Sequence, residues 1–290
     1  MGDVVVVLAS AGRPELLADA IRTCSTLTGV PFRGVVSVPD ERSLPADRSV
    51  LQGWEVVSGV RGLAAQRNAA LDALPGVDVV AFFDDDAVVR PDYLRRAVDF
   101  LDTHPAVLGL TGRVLLDGAV SGEIPQDAAD AAIAASAAHP VTGTWRRTRE
   151  LYGCNFVVRV SGAPDLRFDA RLPLYSWLED HDFARRLMRL GELAEVDDCV
   201  IVHRAAASGG RQAHDRLGYS QVMNPLHLVR TGSFPRLLAA QQIFRPVAKN
   251  LALSVVGPSR SWRRERLRGN WLAARHALRG RITPEHIAGI

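Results

Sequence analysis

Three consecutive acids, Asp84-Asp85-Asp86, follow directly on the apolar run Val79-Val80-Ala81-Phe82-Phe83. Carboxylates repel one another and are costly to bury without a positive partner. Several at the end of a buried strand point to a divalent cation held by oxygen ligands. The carboxyl edge of a sheet is also where α/β proteins bind ligands. The competing reading is an acidic, solvated turn, and the triplet alone leaves it open. His203 closes a second apolar run, Val200-Ile201-Val202, where it is either a metal ligand or a capping or core histidine. Glu179-Asp180 with Asp182 begins a helical stretch, a place where the helix dipole already favours acids. Arg186 stands four residues after Asp182, the spacing of a helix-surface ion pair.

These residues need strands to carry them. Val4 to Leu8 is a valine-rich run of the kind buried on both faces of a parallel sheet. Gly34 to Val38, Trp54 to Val57 and Val79 to Phe83 read as further strands, Leu108 to Leu116 and Leu151 to Val158 as two more, and Cys199 to Val202 as the last. Helices are expected from Pro14 to Ser25, Leu63 to Leu74, Asp92 to Asp102 and Glu179 to Leu190, the last stopped by Gly191. Strand and helix alternate through the first half, which predicts a mostly parallel sheet covered by helices. Asp117 to His139 is alanine-rich and reads as a loop or a surface helix. Beyond Ser208-Gly209-Gly210 the chain reads as helices broken at Pro225, Pro235, Pro246 and Pro258.

The order of these features resembles the inverting family 2 glycosyltransferases of GT-A fold. The segments that carry the likeness are Val4 to Arg13-Pro14, Asp40, Arg61 to Leu71, Phe83-Asp84-Asp85-Asp86, Gly153-Cys154-Asn155-Phe156, Leu178-Glu179-Asp180-His181-Asp182-Phe183 with Arg186, and Val202-His203. The resemblance covers residues 1–205. It implies an α/β GT-A fold, a mixed and mostly parallel sheet flanked by helices, with a donor half over about 1–105 and an acceptor half over about 106–205. Residues 206–290 form a helical extension. It further implies transfer of a sugar, with inversion, from a nucleotide-diphosphate donor, UDP- or dTDP-linked, to a hydroxyl of a glycan or lipid-linked acceptor.

By that resemblance Asp84 and Asp86 match the DxD motif and, with His203, hold Mn²⁺ or Mg²⁺, the hard cations suited to oxygen ligands and diphosphate. Ala9, Arg13, Asp40, Arg67, Asp84, Asp85, Gly153 and Asn155 fall at donor-binding positions, and Trp177 offers an indole face to a sugar ring. Asp180 is the expected base, beside Glu179, because inverting transfer needs a carboxylate within hydrogen-bond reach of the attacking hydroxyl. Plainer roles compete: Arg67 as a helix-surface arginine, Gly153 as a strand entry, Trp177 as core. Two other functions share the architecture. A sugar nucleotidyltransferase would need a glycine-rich phosphate loop with nearby lysine, whereas Leu8 to Arg13 has one glycine and the sole lysine is Lys249. A non-catalytic scaffold would have no use for Asp84, Asp86, Asp180 and His203 together.

Composition is that of an ordinary globular protein, 290 residues with 47% hydrophobic and 23% charged. Cys24, Cys154 and Cys199 have no paired metal spacing, which fits a reducing compartment. No apolar stretch approaches the ~20 residues of a membrane span, so a cytoplasmic location is expected. Residues 231–290 hold ten arginines and Lys249 against Glu265 and Glu285, a net +9, leaving −6 for the rest of a chain of +3. Such a tail, with Trp262 and Trp271 interleaved, either lies on an anionic membrane at the inner face of the cell membrane or packs on the acidic body. It has no groove-reading motif, so nucleic acid is not an expected partner.

Overall fold

The described residues form one mixed sheet of nine strands. The computed structural model describes residues 2–59, 61–138, 140–206, 213–255 and 260–290; the Ser208-Gly209-Gly210 boundary, His139 and Pro258 lie outside the described residues. The strands are β1 (Val4–Ala9), β2 (Arg33–Val38), β3 (Trp54–Ser58), β4 (Val79–Asp84), β5 (Ala87–Val89), β6 (Val107–Asp117), β7 (Trp145–Arg147), β8 (Asn155–Arg159) and β9 (Glu192–His203). The sheet order is β3-β2-β1-β4-β8-β6-β9-β5, with β7 on β9; β3, β2, β1 and β4 are neighbours in parallel, as are β6 and β9, while β8 runs antiparallel between β4 and β6.

Helices α1 (Pro14–Cys24), α2 (Leu63–Asp72), α3 (Tyr93–Thr103), α4 (Gly118–Ser121), α5 (Gln126–Ser136) and α6 (Glu179–Leu187) accompany the sheet. Burial on both faces explains the unbroken apolar strands. Val4, Val6 and Leu8 pack with Leu17, Ile21 and Tyr93 on one side, and Val5, Val7 and Phe82 with Ala64, Leu71 and Phe183 on the other.

Two differences from the expected elements matter for the site. Gly153 and Cys154 form a turn closed by a Tyr152–Asn155 bridge, and the strand begins only at Asn155. Strand β9 starts seven residues before Cys199, and the short β5 pairs antiparallel with it so that Ala87 faces His203. That register brings the acidic triplet to the histidine, since Asp85 and Asp86 are the link between β4 and β5.

The C-terminal segment folds as α7 (His214–Arg230), α8 (Arg236–Leu253) and α9 (Arg260–Leu278). Contrary to expectation, Pro225 and Pro246 lie inside helices. An interior proline costs about 3 kcal/mol, and interhelical packing offsets it. Helices α7 and α9 cross at Gly218 and Gly269, where a Cβ would stand 2.1 Å from the Arg266 carbonyl oxygen and 2.0 Å from that of Asp215 respectively. Buried amides lock the three helices: Asn250 Nδ2 donates to Gln221 Oε1 at 2.9 Å and to Asn270 Oδ1 at 3.0 Å, and Arg263 donates to Asn250 Oδ1 at 2.7 Å. Trp262 of the basic tail stacks on His214 at 5.0 Å between ring centres. Among the described residues no helix is long and apolar enough to cross a membrane.

Candidate active site

The carboxyl ends of β1, β4 and β9 meet at one rim. Ala9 is in register with Asp84 across the β1–β4 pair. There Asp84, Asp86 and His203 each present a ligand atom, all within 4.8 Å of one another. His203 Nε2 lies 3.6 Å from Asp86 Oδ1. Its other ring nitrogen, Nδ1, is 2.8 Å from Asp117 Oδ1. A proton on Nδ1 donated to that carboxylate leaves the Nε2 lone pair facing the acids, the usual second-layer support of a metal-binding imidazole. Tyr152 Oη donates to the other Asp117 oxygen at 2.6 Å and the Ala119 N–H to Oδ1 at 2.9 Å. Although partial burial opposes it, these bonds and His203 hold the Asp117 carboxyl below its ordinary range.

Burial raises the Asp84 carboxyl, Arg67 pulls it back and Asp86 repels it upward. Asp85 is pushed to about 7 by burial against the pull of Arg13, with Asp86 and Asp84 adding repulsion. Asp86 Oδ2 accepts the Ala206 N–H at 3.2 Å and an Arg13 N–H at 3.4 Å, while Oδ1 is buried without a hydrogen bond. An orphaned carboxylate oxygen beside a like-charged neighbour and an imidazole lone pair fits a cation. Two carboxylates and one imidazole suit a transition ion such as Mn²⁺ better than Mg²⁺, which prefers oxygen alone.

Arg67 braces this rim from beneath. Its side chain is 1% exposed and lies against Phe82, Phe156 and Phe168, with its guanidinium carbon 5.1 Å to 5.7 Å from the ring centres. It donates to Asp84 Oδ1 at 3.1 Å, to the Gly153 carbonyl at 2.7 Å and to Glu179 Oε1. Burial pushes the Glu179 carboxyl up to about 8 against the pull of Arg67, with Asp180 and Asp84 adding to the rise. Arg67→Met removes the one cation that, among the described residues, contacts Glu179 and is expected to cost about 3–5 kcal/mol of folding stability, the usual penalty for breaking a buried pair. Arg67→Lys restores little, because a point charge cannot span three acceptors. Denaturant midpoints of the two variants measure this; a midpoint unchanged in Arg67→Met contradicts it.

Asp180 is half-buried at the start of α6. Its Oδ2 accepts the Gly153 N–H at 3.0 Å and its Oδ1 the His181 N–H at 2.8 Å. The Gly153 residue thus stands between Asp84 and Asp180, tied to the first through Arg67 and to the second directly. The approach to α6 is unusual. Leu174, Ser176 and Leu178 have φ of 58°, 53° and 72°, left-handed backbone that costs a non-glycine residue of order 1 kcal/mol each. The N-terminus of α2 holds them, with Leu63 N–H on the Leu174 carbonyl at 2.9 Å and Ala64 N–H on Ser176 Oγ at 3.2 Å.

Several expected positions have other work. Glu179 faces the interior on Arg67 and does not present its carboxyl beside Asp180. Asp85 is buried, with its carboxylate taken by Arg13 and by Ser10 Oγ at 2.5 Å. Asn155 is fully buried, its Oδ1 accepting from Tyr93 Oη at 2.8 Å and the Gly112 N–H at 2.7 Å, so it joins β8 to β6 and α3. Trp177 packs with Leu172, Leu178, Leu228 and Phe234. Asp40 caps a short turn through Ser43 N–H at 3.2 Å, and Ser43 Oγ accepts the Gly12 N–H at 3.0 Å. Asp182 pairs with Arg186 at 2.6 Å and 2.9 Å, as the spacing anticipates.

A cavity of about 570 Å³ opens on the rim. Ala9, Arg13, Asp84, Asp86 and His203 line one side, and Arg61, Gly62 and Gln66 of the loop into α2 the next. His214, Arg216, Ser220, Arg266 and Ile287 of the C-terminal segment form the far wall. The basic segment therefore packs on the body and completes the cavity. Residues the sequence reading passed over include Ser10, Asp117, Tyr152, Ser176 and this wall. Asp117 ends an apolar run as Asp84 does, a signal that was legible.

Residues 53–127 match the family model described as glycosyl transferase family 2. Three solved structures share the fold. Mannosyltransferase PcManGT from Pyrobaculum calidifontis, in complex with GDP-Man and Mn²⁺, is 17% identical over 96% of this chain and 89% of its own, with a TM-score of 0.58. S. aureus TarS is 12% identical over 99% of this chain and 53% of its own, with a TM-score of 0.55, so the chain spans about half of that protein. Glucosyl-3-phosphoglycerate synthase from Mycobacterium tuberculosis, in complex with Mn²⁺, UDP and glucosyl-3-phosphoglycerate, is 20% identical over 81% of this chain and 82% of its own, with a TM-score of 0.52. The chain has the GT-A glycosyltransferase fold. Sequence comparison with curated proteins finds no match. The GT-A frame accounts for the position of the rim, since the parallel half of its sheet ends where the acids stand.

Proposed function

We propose that the protein is an inverting glycosyltransferase that uses a nucleotide-diphosphate sugar and Mn²⁺. The observation that carries this reading is the Asp84, Asp86 and His203 cluster on the wall of the large cavity. Asp84, Asp86 and Nε2 of His203 would hold the ion, and a bound divalent cation neutralises charge on a departing diphosphate. Arg61, Arg216 and Arg266 supply positive charge from the opposite walls. Asp180 accepts the proton of the acceptor hydroxyl. The acceptor oxygen bonds to the anomeric carbon as the bond to the diphosphate oxygen breaks, the electron pair leaving with the nucleotide diphosphate. Gly153 N–H and His181 N–H orient the Asp180 carboxylate while leaving it lone pairs for the acceptor. Arg67 fixes Gly153 and Asp84 in one frame, so donor site and base share a support.

The bound nucleotides of two structural neighbours, GDP-Man and UDP, widen the choice beyond the UDP and dTDP the sequence suggests. A panel of UDP-, dTDP- and GDP-sugars, with and without Mn²⁺, tests the reading by thermal shift, since a ligand of the folded state raises its melting point by mass action. At least one is expected to stabilise the protein only with Mn²⁺; none doing so contradicts the proposal.

The exposed face of α8 supports membrane association. Leu237, Phe244 and Leu251, spaced seven apart, are 73%, 72% and 61% exposed, on one stripe beside Arg236, Arg245 and Lys249. We propose that this stripe docks on anionic lipid. Phe244→Asp with Leu251→Asp is expected to abolish co-sedimentation with phosphatidylglycerol vesicles; retention by the double variant, or no binding by the parent, rejects it.

A further inference from the structure

A second cavity, of about 460 Å³, adjoins the start of α6. Arg113, Arg146, Glu150, Tyr152, His181 and Glu195 are among its lining residues. Two of these bracket the base: His181 follows Asp180, and Tyr152 precedes Gly153, whose N–H Asp180 accepts. We propose that this cavity receives the acceptor, and that the acceptor carries a phosphate or carboxylate bound by Arg113. The proposal rests on the glycosyl-transfer reading above and adds the substrate class.

The charges of the cavity carry the argument. Arg146 pairs with Glu195. Glu150 stands 3.6 Å from His181 Nδ1, which is buried without a hydrogen bond. Arg113 is exposed on β6, and among the described residues its side chain makes no hydrogen bond or ion pair. A guanidinium offers five N–H donors in a planar fork that matches carboxylate and phosphate bidentately. Glu195 is already neutralised by Arg146. The cavity then presents one guanidinium without a carboxylate partner toward an anion.

The test uses the full chain with Mn²⁺ and the nucleoside diphosphate selected by the panel. Glycerol, D-glycerate and glycerol 3-phosphate are titrated by calorimetry at matched ionic strength, with parallel runs lacking nucleotide. The anionic probes are expected to bind about tenfold or more tightly than glycerol, because hydrogen bonds to a charged group exceed that factor. The stronger of the two identifies carboxylate or phosphate as the recognised group. Arg113→Gln is expected to erase the preference and Arg113→Lys to restore part of it, neither changing affinity for the Mn²⁺–nucleotide. Anions binding no better than glycerol, or a preference that survives in Arg113→Gln, overturns the proposal. If no nucleotide binds with Mn²⁺, the glycosyl-transfer reading fails, and the runs without nucleotide still decide the role of Arg113.

Discussion

Asp86→Ala is expected to abolish Mn²⁺-dependent binding of nucleotide diphosphate. The residue contributes Oδ1, a buried oxygen with no hydrogen bond that faces His203 Nε2 at 3.6 Å. Losing a residue that only orients a ligand typically costs about 10–100-fold in metal affinity; losing a direct ligand from a set of three costs more. Asp84 cannot compensate, because one of its oxygens is engaged by Arg67 at 3.1 Å. The metal-free variant should melt no lower than the parent, since Asp84 and Asp85 lose a like-charged neighbour. That pairing of results separates a lost site from a lost fold. Asp86→Asn, which keeps the shape and an acceptor for the Ala206 N–H, is the companion variant. Calorimetry with UDP or GDP and Mn²⁺ reads both, and undiminished affinity in the two variants removes Asp86 from the metal site.

Asp180→Asn is expected to leave nucleotide binding intact and to lower transfer by about 10²–10⁴-fold, the range a positioned general base contributes. The amide oxygen still accepts from Gly153 or His181, so α6 keeps its place, but it takes no proton from a hydroxyl. Glu179 offers no rescue: it is 3% exposed and bound to Arg67. Transfer rates at saturating donor, set beside the calorimetric affinity, make the distinction. Turnover at the parent rate in Asp180→Asn places the base elsewhere.

The strands that hold the site were legible because burial on both faces leaves a simple trace. Val4 to Leu8 and Val79 to Phe83 are unbroken apolar runs, and both are core strands. The acids at the end of the second run were legible for the same reason, as charge at the edge of an apolar strand demands an account. The short strands Ala87–Val89 and Trp145–Arg147 were not legible, because three residues carry no period. Both exist through pairing with β9, and it is β5 that sets the Asp86–His203 approach. Prolines 225 and 246 misled, since a local breaker is overridden by the packing of α7, α8 and α9 on one another.

Within the site, residue types pointed to a cation, but partners did not follow from them. Arg67 meets Glu179 across 112 positions and Ser10 meets Asp85 across 75, distances over which spacing says nothing. Hence Glu179 and Asp85 read as chemistry from their type alone, while the sequence does not show that their carboxylates are bonded to Arg67 and to Arg13 and Ser10. Asn155 and Trp177 likewise carry useful groups, but packing commits them elsewhere.

The most direct measurement is anomalous diffraction from crystals grown with Mn²⁺ and a nucleoside diphosphate. The account predicts a manganese peak at coordinating distance from Asp84, Asp86 and Nε2 of His203, with diphosphate oxygens completing its shell. A peak bound only by other residues, or none at this rim while nucleotide occupies the cavity, contradicts it.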